Sequence, residues 1–301
     1  MGMLAIIAAL LLEQWRPIGD RKAWSAALST AASGLEASFN AGERRHGNIA
    51  WLVAVLPAAL AAVALHYLLL WLHPLLALAF NVGVLYLTLG FRQFSHYFTG
   101  IRTAIRDGQV DQARELIGAW RGESAAHRSR EEVVRLAIEE ALIASHRHVF
   151  GVVFWYMLLP GPSGAILYRL AIFLHQRWGG LGEFGRAAIR AREVLDWPAA
   201  RLTAAAFAVV GDFEDAIYCW RTQARAWPDA PMGIVLAAGA GAMGVRLGMP
   251  LGEIDGPAAR PDLGVGEAAD LPYLDSAVGL LWRALVLWVF VLMILSAARL
   301  L

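Results

Sequence analysis

The sequence predicts an all-α integral membrane protein, a multi-span helical chain with amphipathic helices in an extramembrane segment. Three observations predict it. The stretch Ile49–Leu72, IAWLVAVLPAALAAVALHYLLLWL, carries no Asp, Glu, Lys or Arg, and it is long enough to cross a bilayer as a helix. The 301-residue chain is 58% apolar and only 17% charged, against about 25% charged in soluble domains. Twelve tryptophans suit anchoring at a membrane–water interface.

The elements follow in order. Met1–Leu12 is a short apolar run without a basic leader or a small-residue cleavage site, which predicts a partly inserted helix rather than a cleaved signal peptide. A polar helix is expected from about Asp20 to Phe39, then a turn at Asn40–Gly42. Ile49–Leu72 spans, with Pro57 tolerated because neighbouring helices can satisfy the carbonyl it frees. His73–Pro74 turns the chain, and Leu75–Phe91 is just long enough to return, which predicts a membrane hairpin.

The segment 92–148 is the largest charged block, a helical segment expected on the cytoplasmic side within a single 1–301 membrane domain. Val133, Val134, Ala137, Ile138, Ala141 and Leu142 recur at helical spacing and predict one packed face. Ser129 stands three residues before Glu132, the spacing of a capping box. A shorter helix, about Val110–Trp120, precedes it. Both this block and residues 14–48 are arginine-rich, so both are expected to face the cytoplasm.

Val149–Pro160 is apolar, broken by Gly161-Pro162-Ser163-Gly164, and apolar again to Leu174 around Arg169. It reads as one kinked span or as helix, break, helix. An arginine there is costly on a lipid face, so Arg169 points into a bundle interior, snorkels to the interface or meets a ligand. A polar helix is expected over Arg186–Asp196, ended at Trp197–Pro198, with a separate apolar piece at Ala199–Val210. Met232–Leu247 is rich in small residues that permit close helix approach, either inside the chain or between subunits. Residues 250–273 read as a loop, and Leu280–Leu301 as the last span.

The formal net charge of +1 offers no footprint for nucleic acid. The single cysteine, Cys219, excludes an intrachain disulfide and reads as an ordinary buried thiol. His146 and His148 lie two apart, on different helix faces, so no metal site is assigned to them. Two charged groups are candidates for chemistry. One is Glu139 with Glu140, where Arg135 stands four residues before Glu139 in position for a helical ion pair. The other is Arg190, Arg192, Glu193, Asp196 and Arg201 with Asp212, Glu214 and Asp215. Paired acids there could hold a hard cation with substrate phosphates, and arginines could clamp an anion. Both groups also suit a solvated rim that anchors helices.

The motifs LLEQWRPIGD, FGVVFWYMLLPGPSG and VLDWPAARLTAAAFAVVGDFEDAIYCW resemble the cobinamide-phosphate synthase (CobD/CbiB) superfamily of membrane proteins, and more closely its AmpE branch. The resemblance implies a small multi-span helical protein of the bacterial inner membrane. Glu139 matches the first acid of the synthase signature, and Tyr168 with Arg169 matches its Tyr-Arg after the Gly/Pro break. The signature's Ala-Glu-Asn reads Leu142-Ile143-Ala144, its next Asp reads Arg147, and its Asp-Asp pair corresponds to Arg192-Glu193.

These replacements remove acids that could hold magnesium and ATP. The resemblance therefore implies an AmpE-like protein without synthase activity, binding a large anionic or lipid-like ligand or signalling. The alternative is an ATP-dependent synthase joining adenosylcobyric acid to an aminopropanol or its phosphate, the one reading in which Mg2+ and ATP enter. A small transporter is a further alternative. The candidate ligand-binding residues are Glu139, Tyr168, Arg169, Arg192, Glu193, Asp196, Arg201 and Asp212. The expected partners are the lipid bilayer, such a ligand, and a second copy of the chain.

Overall fold

The computed structural model describes residues 2–15, 22–40, 42–251 and 260–298. The opening motif's residues 16–20 and residues 252–259 of the expected 250–273 loop lie outside these. The described residues form an all-α fold with a small three-stranded sheet. Contacts divide the chain into two compact units: Met1–Gly90 with Gly151–Pro198, and Phe91–Phe150 with Ala199–Leu301.

The first unit begins with α1 (Gly2–Trp15), α2 (Lys22–Phe39), α3 (Arg44–Leu72) and α4 (Pro74–Thr88). Helix α3 runs through Pro57 and buries only a narrow stripe that includes Ala50, Val55, Ala59 and Ala62. Leu52, Leu56, Leu60 and Leu68 on its other sides are exposed, the arrangement expected where lipid replaces water. The expected turn is present: the His73 Nδ1 accepts from the Leu75 amide at 3.2 Å and Pro74 opens α4, a position where its missing N–H costs nothing. Helix α4 packs on α1 and α3. With 15 residues it reaches about 22 Å, short of the full hydrocarbon thickness expected for the hairpin's return arm.

The Gly/Pro break is a helix–turn–helix between α8 (Gly151–Leu158) and α9 (Ser163–Trp178), not one kinked span. Gly161 turns the chain with φ +57°. A side chain at Gly164 would run into the Trp155 carbonyl, so its absence lets the two helices close. The unit's core gathers Ala32, Ala50, Val55, Leu174, Trp178, Phe184 and Ala188.

Helix α10 (Gly182–Val210) corrects the expectation of two helices parted at Trp197–Pro198. It continues through Pro198, which deletes one backbone bond while the flanking buried residues Leu195, Asp196, Ala199 and Ala200 hold the helix together.

The second unit holds α5 (Phe91–Arg106), α6 (Val110–Arg121), α7 (Arg130–Ser145) and a π-helical segment, His146–Phe150. It continues with α11 (Phe213–Thr222), α12 (Ala230–Met243) and α13 (Leu271–Ala298). The capping box forms: the Ser129 Oγ accepts from the Glu132 amide at 3.1 Å, and the Glu132 carboxylate accepts from the Ser129 amide at 2.7 Å. Helix α7 buries more than the one expected face, since Val133 through Glu139 are all buried. It packs against α5, α6, α12 and α13.

The small-residue helix α12 is buried along nearly its whole length. Gly239 faces Leu142 and Gly241 faces the Asp215 backbone, each without room for a Cβ, so internal contacts use its small residues. The expected loop after it contains strands. β1 (Val245–Gly248) pairs antiparallel with β2 (Asp262–Leu263) and parallel with β3 (Glu267–Ala268). These strands are two to four residues long, too short for an alternating pattern to announce them.

By length and composition, α3 and α13 are the two helices among the described residues able to cross a membrane.

Candidate functional site

In the first unit, α9 and α10 bring three of the candidate residues together. The Tyr168 hydroxyl donates to Asp196 Oδ1 at 2.6 Å. Arg192, one turn before Asp196 on α10, donates to Oδ2 at 3.0 Å. All three are buried, Asp196 completely. Gly151 makes the arrangement sterically feasible, because a Cβ there would overlap the Tyr168 ring. Trp155 fixes the adjoining backbone by donating its indole N–H to the Leu195 carbonyl at 3.1 Å. A buried carboxylate tied to a guanidinium and a phenol is stable only while both partners remain. Arg169 is half-buried on α9, and Glu193 is exposed.

In the second unit, Glu139 is buried and closed. Both its oxygens accept from Arg260 Nη2, at 2.8 and 2.7 Å, and Oε1 also accepts from the Gly248 amide at 2.8 Å. The Arg260 Nε donates to the Met249 carbonyl at 3.1 Å, and its guanidinium lies 5.4 Å from the Trp227 ring. The helical pair expected between Arg135 and Glu139 is replaced by this longer-range one. Arg135 turns to the Pro250 carbonyl and the Met249 sulfur, both at 3.4 Å. Burial lowers the pKa of Arg135, Glu139 opposes that shift, and Arg260 adds to it. Arg128 donates to the Leu251 carbonyl at 2.8 Å. Residues 248–251 are therefore fastened to α7 and the turn before it by three arginines and one glutamate.

Glu140, the next residue, faces a different set. Arg121 of α6 lies 3.9 Å away. Arg147, from the π-helical segment, lies 3.5 Å from Asp229 at the start of α12 and within electrostatic reach of Glu140. Burial raises the Glu140 pKa, while Arg121 and Arg147 pull it back.

His146 is buried, and its Nδ1 lies 3.0 Å from the Thr203 hydroxyl. That hydroxyl donates to the Ala199 carbonyl, which leaves its lone pair for an Nδ1–H of His146. His148 is half-buried. Arg201 is half-buried on α10. Asp212 is exposed and caps α11, accepting from the Asp215 amide at 3.0 Å. Cys219 is buried, and burial pushes its thiol up to about 11, an inert thiol at neutral pH.

The structure thus joins Tyr168, Arg192 and Asp196, and places Glu139 in a separate closed pair. Sequence reasoning missed Arg260, Arg121 and Asp229 as partners. Their contacts bridge 19 to 121 residues, and no local spacing announces them. Among the described residues no three His, Cys, Asp or Glu side chains gather to hold a metal ion. Asp196 and Glu139 are each paired with an arginine.

Residues 6–281 match the family model described as CobD/Cbib protein. A Stutzerimonas stutzeri protein named cobalamin biosynthesis protein CobD is 35% identical over 301 residues, covering 96% of each chain. A Chromobacterium violaceum protein of the same name is 36% identical over 271 residues, covering 89% of this chain and 84% of that one. No solved structure matches. These relatives overturn the expectation of an AmpE-like protein without synthase activity. The motif differences that suggested it stand within nearly full-length similarity to proteins of the cobalamin pathway. With most of its length matched by the family model, this chain belongs to the CobD/CbiB family.

Proposed function

We propose that this chain is a membrane-bound, amide-forming synthase of cobalamin biosynthesis, joining adenosylcobyric acid to an aminopropanol or its phosphate at the expense of ATP. The observation that carries this reading is the similarity to a cobalamin biosynthesis protein across 96% of both chains. Similarity confined to the fold would not carry an activity; here it also covers the segments that supply the buried polar clusters. We place the protein in the bacterial inner membrane as a multi-pass chain. In this reading α3 and α13 cross fully, α1 and α4 pack as shorter inserted helices, and the 92–148 block faces the cytoplasm, where ATP is available.

The arginines have the chemistry to receive an anionic corrinoid. Arg169 of the first unit is half-buried, and a guanidinium matches carboxylate or phosphate groups in geometry and charge. Arg192, Asp196 and Tyr168 tie α9 to α10.

The test is binding of adenosylcobyric acid to the protein in nanodiscs, followed by corrin absorbance, then turnover with ATP and aminopropanol or its phosphate. Saturable binding that weakens in Arg169→Ala, with amide product formed, is the expected result. A folded protein that neither binds the corrinoid nor forms the amide overturns the reading.

A further inference from the structure

The consecutive backbone carbonyls of Met249, Pro250 and Leu251 each accept from a different arginine: Arg260 at 3.1 Å, Arg135 at 3.4 Å and Arg128 at 2.8 Å. Three guanidiniums therefore converge on one short stretch of chain. The carboxylate among them, Glu139, has both oxygens on Arg260. Arg135 is left with poor partners. Besides its long bond to Pro250, its Nη1 meets the Met249 sulfur at 3.4 Å, and a thioether is a weak acceptor. Its Nε is buried and has no hydrogen-bond partner.

The charges do not balance either. Arg135 is 4% exposed, Arg260 9% and Glu139 1%. Two enclosed guanidiniums against one enclosed carboxylate leave one positive charge over, and a buried charge is costly unless it is paired. An arginine does not escape that cost by giving up its proton. Glu139 attracts Arg135 and Arg260 repels it, while Glu132 and Glu131 attract it more weakly. Glu132 is tied to the Ser129 amide, and Glu131 is exposed. Met249 adds a further sign of constraint. Its φ of +64° lies in the left-handed region, and such strain in a non-glycine residue persists where the surroundings enforce it, often at ligand clamps.

We propose that Arg135, flanked by Arg128 and Arg260, binds one small inorganic anion of single charge, with chloride as the probe. The anion accepts from the Arg135 Nε–H and balances the surplus charge, which holds residues 249–251 more firmly on α7. A single negative charge neutralises the enclosed group, whereas a dianion overshoots it. The near-complete enclosure of Arg135 favours a compact ion over a ligand with an organic body. The site is structural, lies outside the synthase reading and does not rest on it.

The experiment is thermal unfolding of the full chain in detergent, followed by tryptophan fluorescence, as gluconate is exchanged for chloride at constant ionic strength. The melting temperature is expected to rise with chloride and to saturate, by about 2–4 °C in all. Arg135→Met keeps most of the apolar stem and removes the charge. It is expected to melt at or above the parent in gluconate and to lose the chloride response. Arg128→Gln is expected to raise the chloride concentration at half effect by roughly threefold or more. Arg186→Gln, which alters an exposed ion pair of the first unit, keeps the full response and so separates a bound anion from a general salt effect. Broadening of the chloride NMR line by the folded parent, reduced in Arg135→Met, is the second readout. A parent that melts alike in chloride and gluconate overturns the proposal. So does an Arg135→Met variant that keeps the parent's response. Should that variant fail to fold, an unchanged half-effect concentration in Arg128→Gln overturns it instead.

Discussion

Glu139 is 1% exposed with both oxygens on Arg260, whereas Glu140 keeps 23% of its side chain exposed and meets Arg121 only at 3.9 Å. The two are adjacent on α7 and identical in chemistry. One step along a helix turns a side chain through about 100°, and here that rotation separates a strand-fastening ion pair from a half-open charged cluster. The partners decide which carboxylate is closed off and which stays within reach of solvent. Glu139 holds the end of β1 through Gly248 and the start of β2 through Arg260, while Glu140 looks toward α6 and the π-helical segment.

The sharpest way to break this contrast is Arg260→Ala. It leaves Glu139 buried without its cation and removes the bond to the Met249 carbonyl. A cost of about 3–5 kcal/mol is expected for orphaning a buried charge, read as a large fall in melting temperature in detergent. Glu139→Gln combined with Arg260→Ala should recover part of the loss, because the unpaired charge is gone. If the single variant melts like the parent, the pair is not what fastens this loop.

Tyr168→Phe asks whether the first unit's cluster behaves like the closed pair. The phenol supplies a 2.6 Å bond to Asp196, which keeps Arg192. Loss of one hydrogen bond to a charged group should cost about 1.5–3 kcal/mol, less than Arg260→Ala. An equal or greater loss would rank this cluster above the Glu139 pair.

What was legible in the sequence was local. Ser129 and Glu132 announced their capping box by spacing alone, His73–Pro74 announced its turn, and the charge-free run in α3 announced a helix of spanning length. Proline rules misled at Pro198, because packing on both sides of Trp197 held α10 together across a missing backbone bond. The AmpE-like reading failed for a related reason. It weighed individual motif substitutions, such as Arg147 at an acidic position, above similarity spread over the whole length. The site residues were half legible: Tyr168, Arg192 and Asp196 were named, but Arg260 lies 121 residues from Glu139 and its strand pairs are too short to show a period.

Ser129→Ala calibrates how much of α7 depends on its cap rather than on its burial. Removing a serine N-cap costs about 1 kcal/mol. Glu132→Ala should cost a similar amount, and the double variant less than the sum, because the two bonds are reciprocal. Additive losses would show two independent contacts.

The smallest effect expected is that of Glu140→Gln on stability, and its sign separates the open cluster from the closed one. Burial raises the folded-state pKa of Glu140 above the ordinary 4.5, against the pull of Arg121 and Arg147 and with the push of Glu139 and Glu123. Asp229 adds a second acid to the same cluster through Arg147. Between the ordinary value and the raised one, the folded protein holds a proton that the unfolded chain has released. Stability contributed by Glu140 is therefore greatest below that window, falls as pH rises through it, and stays low above it. Glu140→Gln removes this slope, so the variant should equal or exceed the parent at neutral pH by no more than about 2 °C in melting temperature. It should lose that advantage in mild acid. A variant less stable than the parent at neutral pH would mean that Glu140 is held by its arginines as firmly as Glu139 is by Arg260, and the contrast between the two glutamates would be lost.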